Sequence, residues 1–272
     1  MSSGAMTPAE GVASLDRLRQ VRHNTTPYPR EETPTMRLFS VMLVTFAMAA
    51  VACGAPQVTS TNSTDEVADQ GQAPCPEGSA RVNRAGEQLM VSVTEAFSGA
   101  RDGDRVSLCP GRSLHDATLV LSKVNDVVIS GDKTSLVAKG DFPVVQLKES
   151  TQVVLEGVRV VHEVGEWCAH GCVEIYNSSQ MTVRHSELDG SGYFGIVTSA
   201  VTDSEFTDNV FHNCHFGFST WDSSGLTLKR NIFRDNRGAN IEDSAGSSFA
   251  NDIKAHNEFG PLKPAAPKPD AP

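Results

Sequence analysis

Short runs in which apolar and polar residues alternate fill residues 104–260, and none keeps the 3.6-residue spacing of an amphipathic helix. Val153-x-Leu155 and Leu226-x-Leu228 are typical, and they are rich in residues that suit strands. Gly, Asn, Asp and Ser separate the runs, as sharp corners require. The runs also repeat. The block from Phe194-Gly-Ile-Val-Thr-Ser to Asp208-Asn209-Val210-Phe211 superposes on Phe216-Gly-Phe-Ser-Thr-Trp to Arg230-Asn231-Ile232-Phe233. A looser copy runs from Ala239 to Asn257-Glu258-Phe259. Phe206 to Leu228 gives a spacing of 22 and Val183 to Phe206 one of 23. Val145–Val160 matches Val173–Leu188 at 28, the surplus falling in 161–171. One block has no core of its own, whereas stacked blocks bury their inward residues together. The pattern therefore predicts an all-β solenoid over 104–260, with about seven coils and a length near 34 Å at ~4.8 Å per coil.

Two solenoids use such a period. Leu226-Thr-Leu228-Lys-Arg-Asn231-Ile-Phe233 approaches a leucine-rich repeat, but the chain has only 16 Leu and the return limb Gly217–Ser224 shows no helical pattern. The text Asn-x-Phe, a few polar residues, Gly-Ile, then a polar turn is closer to the repeats of the pectin-lyase-like superfamily. Asn209, Asn231 and Asn257 stand where that family stacks asparagines at a corner. Thr94-Glu-Ala-Phe followed by Asp102-Gly-Asp-Arg-Val-Ser-Leu-Cys109-Pro-Gly111 resembles its capping helix and first strand. The resemblance covers roughly 90–260. It implies a right-handed, single-stranded parallel β-helix with a short N-terminal capping helix.

The termini read as addresses and tethers. Residues 38–51 are a 14-residue apolar run after Arg37, too short to span a bilayer comfortably and suited to a secretory signal. Ala50-Val51-Ala52-Cys53-Gly54 resembles the lipobox of bacterial lipoproteins, which implies lipid on Cys53, a cell-envelope address and membrane attachment through that lipid alone. Residues 1–52 are thus expected to be leader and signal peptide, with Met36 as the favoured start. Residues 53–74 follow as the lipidated cysteine and a polar tether, 75–260 as one folded domain, and 261–272, with five Pro in twelve residues, as an extended tail. Beyond residue 52 the chain carries 18 basic against 29 acidic residues, a charge of −11. That argues against tracking nucleic-acid phosphates. A monomer is expected.

Export makes the remaining cysteines a disulfide question. Cys75 with Cys109, and Cys168 with Cys172, are the expected pairs, leaving Cys214 unpaired. The absence of Cys-x-x-Cys spacing speaks against a metal, although His170 and His215 lie near these thiols.

The spacings set Val173, Ile196, Phe218 and Ile241 in one inward column. Alternation then sends Glu174, Val197, Ser219 and Glu242 outward, and likewise Tyr176, Ser199, Trp221 and Ser244. His170, Tyr193 and His215 fall on the rim, with Asp222 at a nearby turn. Rings beside carboxylates suit a sugar, whose apolar face stacks while its hydroxyls donate to acids. Glu174, Tyr176, Trp221, Asp222 and Glu242 are therefore the candidate glycan ligands. Glu174, Glu242, His170 and His215 are the candidates for any acid–base role. A second column, Gly157, His185, Asp208 and Arg230, is flanked by Glu156, Arg184, Thr207 and Lys229 and reads as cross-strand ion pairing. No nucleophile elbow, zinc motif or P-loop occurs. No cofactor is expected, except Ca²⁺ if the protein proves to be a lyase of the resembled superfamily. The reading is an envelope lipoprotein presenting a β-helix surface to glycans. The alternatives are a small polysaccharide lyase or glycoside hydrolase, and a structural or protein-interaction module.

Overall fold

The computed structural model describes residues 74–163, 168–190, 192–244 and 246–264. The expected leader, Cys53, the tether through residue 73, part of the 161–171 insert and most of the Pro-rich tail lie outside the described residues.

Alternation along the chain becomes three parallel sheets. The first holds β3 (Arg105–Leu108), the leading halves of β6 (Asn125–Ala138) and β8 (Thr151–His162), then β10 (Thr182–Arg184), β13 (Glu205–Thr207) and β16 (Thr227–Lys229). The second holds β4 (Gly111–His115), the trailing halves of β6 and β8, β11 (Glu187–Asp189), β14 (Val210–His212), β17 (Ile232–Arg234) and β19 (Glu258–Phe259). The third holds β5 (Leu119–Ser122), β7 (Val145–Lys148), β9 (Val173–Ser179), β12 (Phe194–Thr202), β15 (Phe216–Trp221) and β18 (Ala239–Asp243). Val183 sits between Leu155 and Phe206, and Ile196 between Val173 and Phe218, so the sequence spacings are the register. The solenoid has about six turns. The expected seventh is only begun, because β19 pairs with β17 and no further strand of the third sheet follows among the described residues.

Stacking like on like fills the core. Phe206, Phe211, Phe218 and Phe233 are fully buried, and the rings of Phe211 and Phe233 lie 4.6 Å apart at 4°. At the corner between the first and second sheets, His185, Asp208 and Arg230 take φ of 51°, 58° and 55°, the left-handed turn that bends the chain within one residue. The next positions carry the amide ladder. Asn209 N–H donates to Asn231 Oδ1 at 3.0 Å, and Asn231 N–H donates to Asn257 Oδ1 at 3.0 Å.

The N-terminal end is closed by an antiparallel hairpin that the periodicity did not reveal, β1 (Ser79–Arg84) and β2 (Glu87–Ser92), with β1 pairing to β3. The expected helix α1 (Val93–Ser98) follows, capped by Ser92 and Glu95, and buries Val93, Ala96 and Phe97 over the end of the stack. A closed end removes an open strand edge from water and from other chains. The Cys75–Cys109 disulfide is formed, with Cα atoms 5.4 Å apart, and pins the start of the domain to the end of β3. Cys168 and Cys172, the other expected pair, are both free. Their thiols aim apart. Cys168 Sγ donates to Asp141 Oδ1 at 3.1 Å, and Cys172 Sγ donates to Asp189 O at 3.7 Å.

Candidate functional site

The outer face of the third sheet gathers part of the expected site. Glu174 points outward from β9 yet is only 5% exposed. Its carboxylate accepts from Tyr176 Oη at 2.7 Å and from Gly171 N–H at 3.1 Å, with His170 Nδ1 3.4 Å away. Burial, then the adjoining carboxylate, push the Tyr176 phenol well up, so it remains a donor at neutral pH. Beside this cluster lies a patch of rings. Trp221 meets Phe194 edge-on with centroids 5.4 Å apart, and Phe194 stacks on Phe216 at 5.9 Å. Tyr193, 42% exposed, stacks on His215 at 5.6 Å.

The structure therefore joins Glu174, Tyr176 and His170 in one network, and Trp221 and His215 in one ring patch. Glu242 stands apart from the first network, its carboxylate accepting from Ser219 Oγ at 2.6 Å. Asp222 is a left-handed corner residue with φ of 47°, turned toward Gly246. The half-buried Phe216, and the buried Phe194 that supports it, were missed as parts of this patch because their Phe-Gly repeat looks like core text. The signal was the position before Gly195 and Gly217, where the chain is still rounding the corner.

A groove lies along the corner between the first and second sheets. One stretch encloses about 720 Å³ and is lined by Arg81, Asp132, Glu156 and His185; a second of about 370 Å³ is lined by Arg159, Glu187 and Asp208. They meet at Gly157 and His185. Gly157 has φ of +67°, and a Cβ there would come within 2.5 Å of Gly131 O, so only glycine lets the corner close. The column read as ion pairing does pair. Arg230 grips Asp208 through two bonds of 2.7 Å, and Arg184 reaches Glu156 at 2.6 Å.

Beside the second stretch of groove, outside every sequence expectation, Glu187, Asp189 and His212 bring their ligating atoms within 4.8 Å of one another. His212 Nδ1 lies 2.9 Å from Asn213 Nδ2 and 3.4 Å from Asp189 Oδ1, and its Nε2 lies 2.7 Å from Glu187 Oε1. Asp189 also accepts from Asn213 at 2.8 Å and is bridged by Arg159. Burial alone would raise the Asp189 pKa, but Asn213, His212 and Arg159 together hold it below the usual carboxylate range. The donor types suit a divalent cation, but their lone pairs are already engaged by Arg159, Asn213 and one another. The chemistry this network presents is that of a histidine held between two carboxylates. Its residues come from β8, β11, β14 and a corner, so spacing alone could not bring them together.

The family model for the right-handed beta helix region matches residues 126–259, and with three parallel sheets in register the chain is a right-handed parallel β-helix repeat protein. No curated protein matches the chain. Among solved structures it is similar to a proposed glycosyl hydrolase from Parabacteroides merdae, at 10% identity over 59% of this chain and 82% of that one, with a TM-score of 0.42. It is also similar to the ORF18 protein of Geobacillus virus E2, at 11% identity over 67% of this chain and 47% of that one, with a TM-score of 0.49. An alginate lyase from Paenibacillus shares 11% identity over 62% of this chain and 94% of that one, with a TM-score of 0.22.

Proposed function

We propose that the protein is an envelope-anchored module that binds polysaccharide on the outer face of its third sheet. The observation that carries this reading is the ring patch: the exposed Tyr193 stacks on His215, and Trp221 and Phe216 pack on the buried Phe194, beside the Glu174–Tyr176 network. Rings accept the apolar face of a sugar, and the neighbouring carboxylates accept its hydroxyls. The lipobox-like run before Cys53 supports attachment to the envelope. A second reading, a glycoside hydrolase or lyase, draws support from His212 held between Glu187 and Asp189 beside the groove.

One experiment separates the two. A glycan array identifies ligands, and each hit is then analysed for cleavage products. Under the binding reading, Trp221→Ala weakens retention about five- to thirtyfold, the equivalent of ~1–2 kcal/mol for a lost stacking ring, and no product forms. Under the enzyme reading, product forms and is lost in His212→Ala or Glu187→Gln while retention survives. Retention unchanged in Trp221→Ala would refute the placement on the third sheet.

A further inference from the structure

Three thiols are buried inside the solenoid, those of Cys168, Cys172 and Cys214. Counted along the stack, Cys172 and Cys214 should stand nearly two coils apart, ~9 Å, beyond the reach of a disulfide. Cys214, however, lies on the corner between β14 and β15, ahead of the strand that this count assumes, and it is less than two coils from Cys172. Gly195 packs beside Cys214: a Cβ there would lie 3.4 Å from Cys214 Sγ and only 2.4 Å from Gly217 O. Cys172 Sγ turns to Asp189 O at 3.7 Å and Cys214 Sγ to Leu188 O at 3.9 Å, adjacent carbonyls at the end of β11. Both buried thiols therefore converge on the end of β11, at the carbonyls of neighbouring residues. Cys168 takes no part, since its thiol donates to Asp141.

We propose that Cys172 and Cys214 form a disulfide beside the end of β11 when the protein folds in contact with a small oxidising disulfide. One cysteine thiolate attacks the reagent, giving a mixed disulfide and releasing one thiolate. The second cysteine thiolate attacks the protein-bound sulfur and releases the other. The two cysteines lose two protons and two electrons, and the reagent is reduced to two thiols. In the folded state both cysteines have no solvent exposure, and burial followed by the neighbouring thiol keeps Cys172 protonated, so the bond closes during folding rather than after it. Gly171, which holds Glu174, directly precedes Cys172, and His215, which stacks on Tyr193, directly follows Cys214. The bond would therefore tie together the two margins of the ring-bearing face. It does not depend on the glycan reading.

The full chain is unfolded in reductant and refolded in a buffer of reduced and oxidised glutathione. Remaining thiols are alkylated and the product is mapped after non-reducing digestion. The expected map shows Cys75–Cys109, which serves as the internal control for oxidation, together with Cys172–Cys214 and an alkylated Cys168. In Cys168→Ser the Cys172–Cys214 link persists at full yield, and in Cys214→Ser Cys172 is alkylated. A Cys168–Cys172 link would overturn the proposal. So would a refolded protein that carries Cys75–Cys109 while Cys172 and Cys214 are both alkylated or both capped by glutathione.

Discussion

Asn231 is the position where the amide ladder can be tested with a worked magnitude. Its side chain is fully buried. Oδ1 accepts from Asn209 N–H at 3.0 Å and from Asn209 Nδ2 at 3.2 Å, while Nδ2 donates to Phe206 O at 2.8 Å and to Asn257 Oδ1 at 2.9 Å. Asn231→Ala removes all four bonds. Asn209 Nδ2 keeps Val183 O at 2.8 Å and Asn257 Oδ1 keeps Asn231 N–H at 3.0 Å, so both remain partly satisfied. The Asn209 N–H loses its ladder acceptor in a site closed to water, while Phe206 O, on a strand paired to β16, loses only its side-chain donor. At ~1–3 kcal/mol for the orphaned N–H and ~0.5–1 kcal/mol for the other lost bond, the loss is about 2–4 kcal/mol. With a urea slope of ~2 kcal/mol/M, the unfolding midpoint should fall by about 1–2 M. The assay is urea unfolding followed by far-ultraviolet circular dichroism, with Ile232→Ala as the control. Ile232 faces outward and is 37% exposed, so truncating it should cost under ~1 kcal/mol. Equal midpoints for the two variants would refute the claim that the ladder, rather than apolar stacking alone, holds this corner.

Two further outcomes test the ends of the solenoid and its groove. Asp104 is buried and gripped by Arg84 through contacts of 2.6 and 2.9 Å; burial raises its pKa, but that bidentate pair, aided by Arg101 N–H, lowers it overall. A lowered folded pKa means stability that is present above the unfolded value of ~3.9 and lost as pH falls further. Asp104→Asn should therefore be about 1–3 kcal/mol less stable than the parent at pH 7, and thermal unfolding from pH 7 to 2 should show that difference closing below about pH 4. Gly157→Ala should cost more than Gly103→Ala in the same urea assay. Both have positive φ, but a Cβ at Gly157 meets Gly131 O at 2.5 Å whereas one at Gly103 meets nothing within 4 Å. About 1 kcal/mol is expected for Gly103 and ~2–4 kcal/mol for Gly157.

Much of the fold was legible because parallel in-register stacking makes each coil repeat the one below. The spacings of 22, 23 and 28 reappear as the pairs Phe206–Leu228, Val183–Phe206 and Val145–Val173. What repetition could not show is what happens once. The hairpin of β1 and β2 turns at Ala85-Gly86, both at positive φ, and Ala-Gly is a far weaker turn signal than Asn-Gly. The cysteine pairing misled for the opposite reason. Cys168 and Cys172 are close in sequence, but proximity in a solenoid follows corner position, and their thiols turn to different partners, Asp141 Oδ1 and Asp189 O.

For the site, alternation tells which side chains face outward but not which outward surface is concave. That depends on how sharply each corner turns. The single left-handed residues Gly157, His185, Asp208 and Arg230 fold the first sheet toward the second and place Glu156, Arg159 and Glu187 along one groove. The third sheet instead displays its rings, with Tyr193 42% exposed. Stacking on a sugar needs an exposed ring face, whereas proton transfer needs an acid and a base held close and shielded from water. Those requirements fall on different sheets here. Trp221 lies on β15 of the third sheet and His212 on β14 of the second. A substitution that disables one surface leaves the contacts of the other in place, so retention and turnover can be lost separately, and which of them each variant loses assigns the function to a sheet.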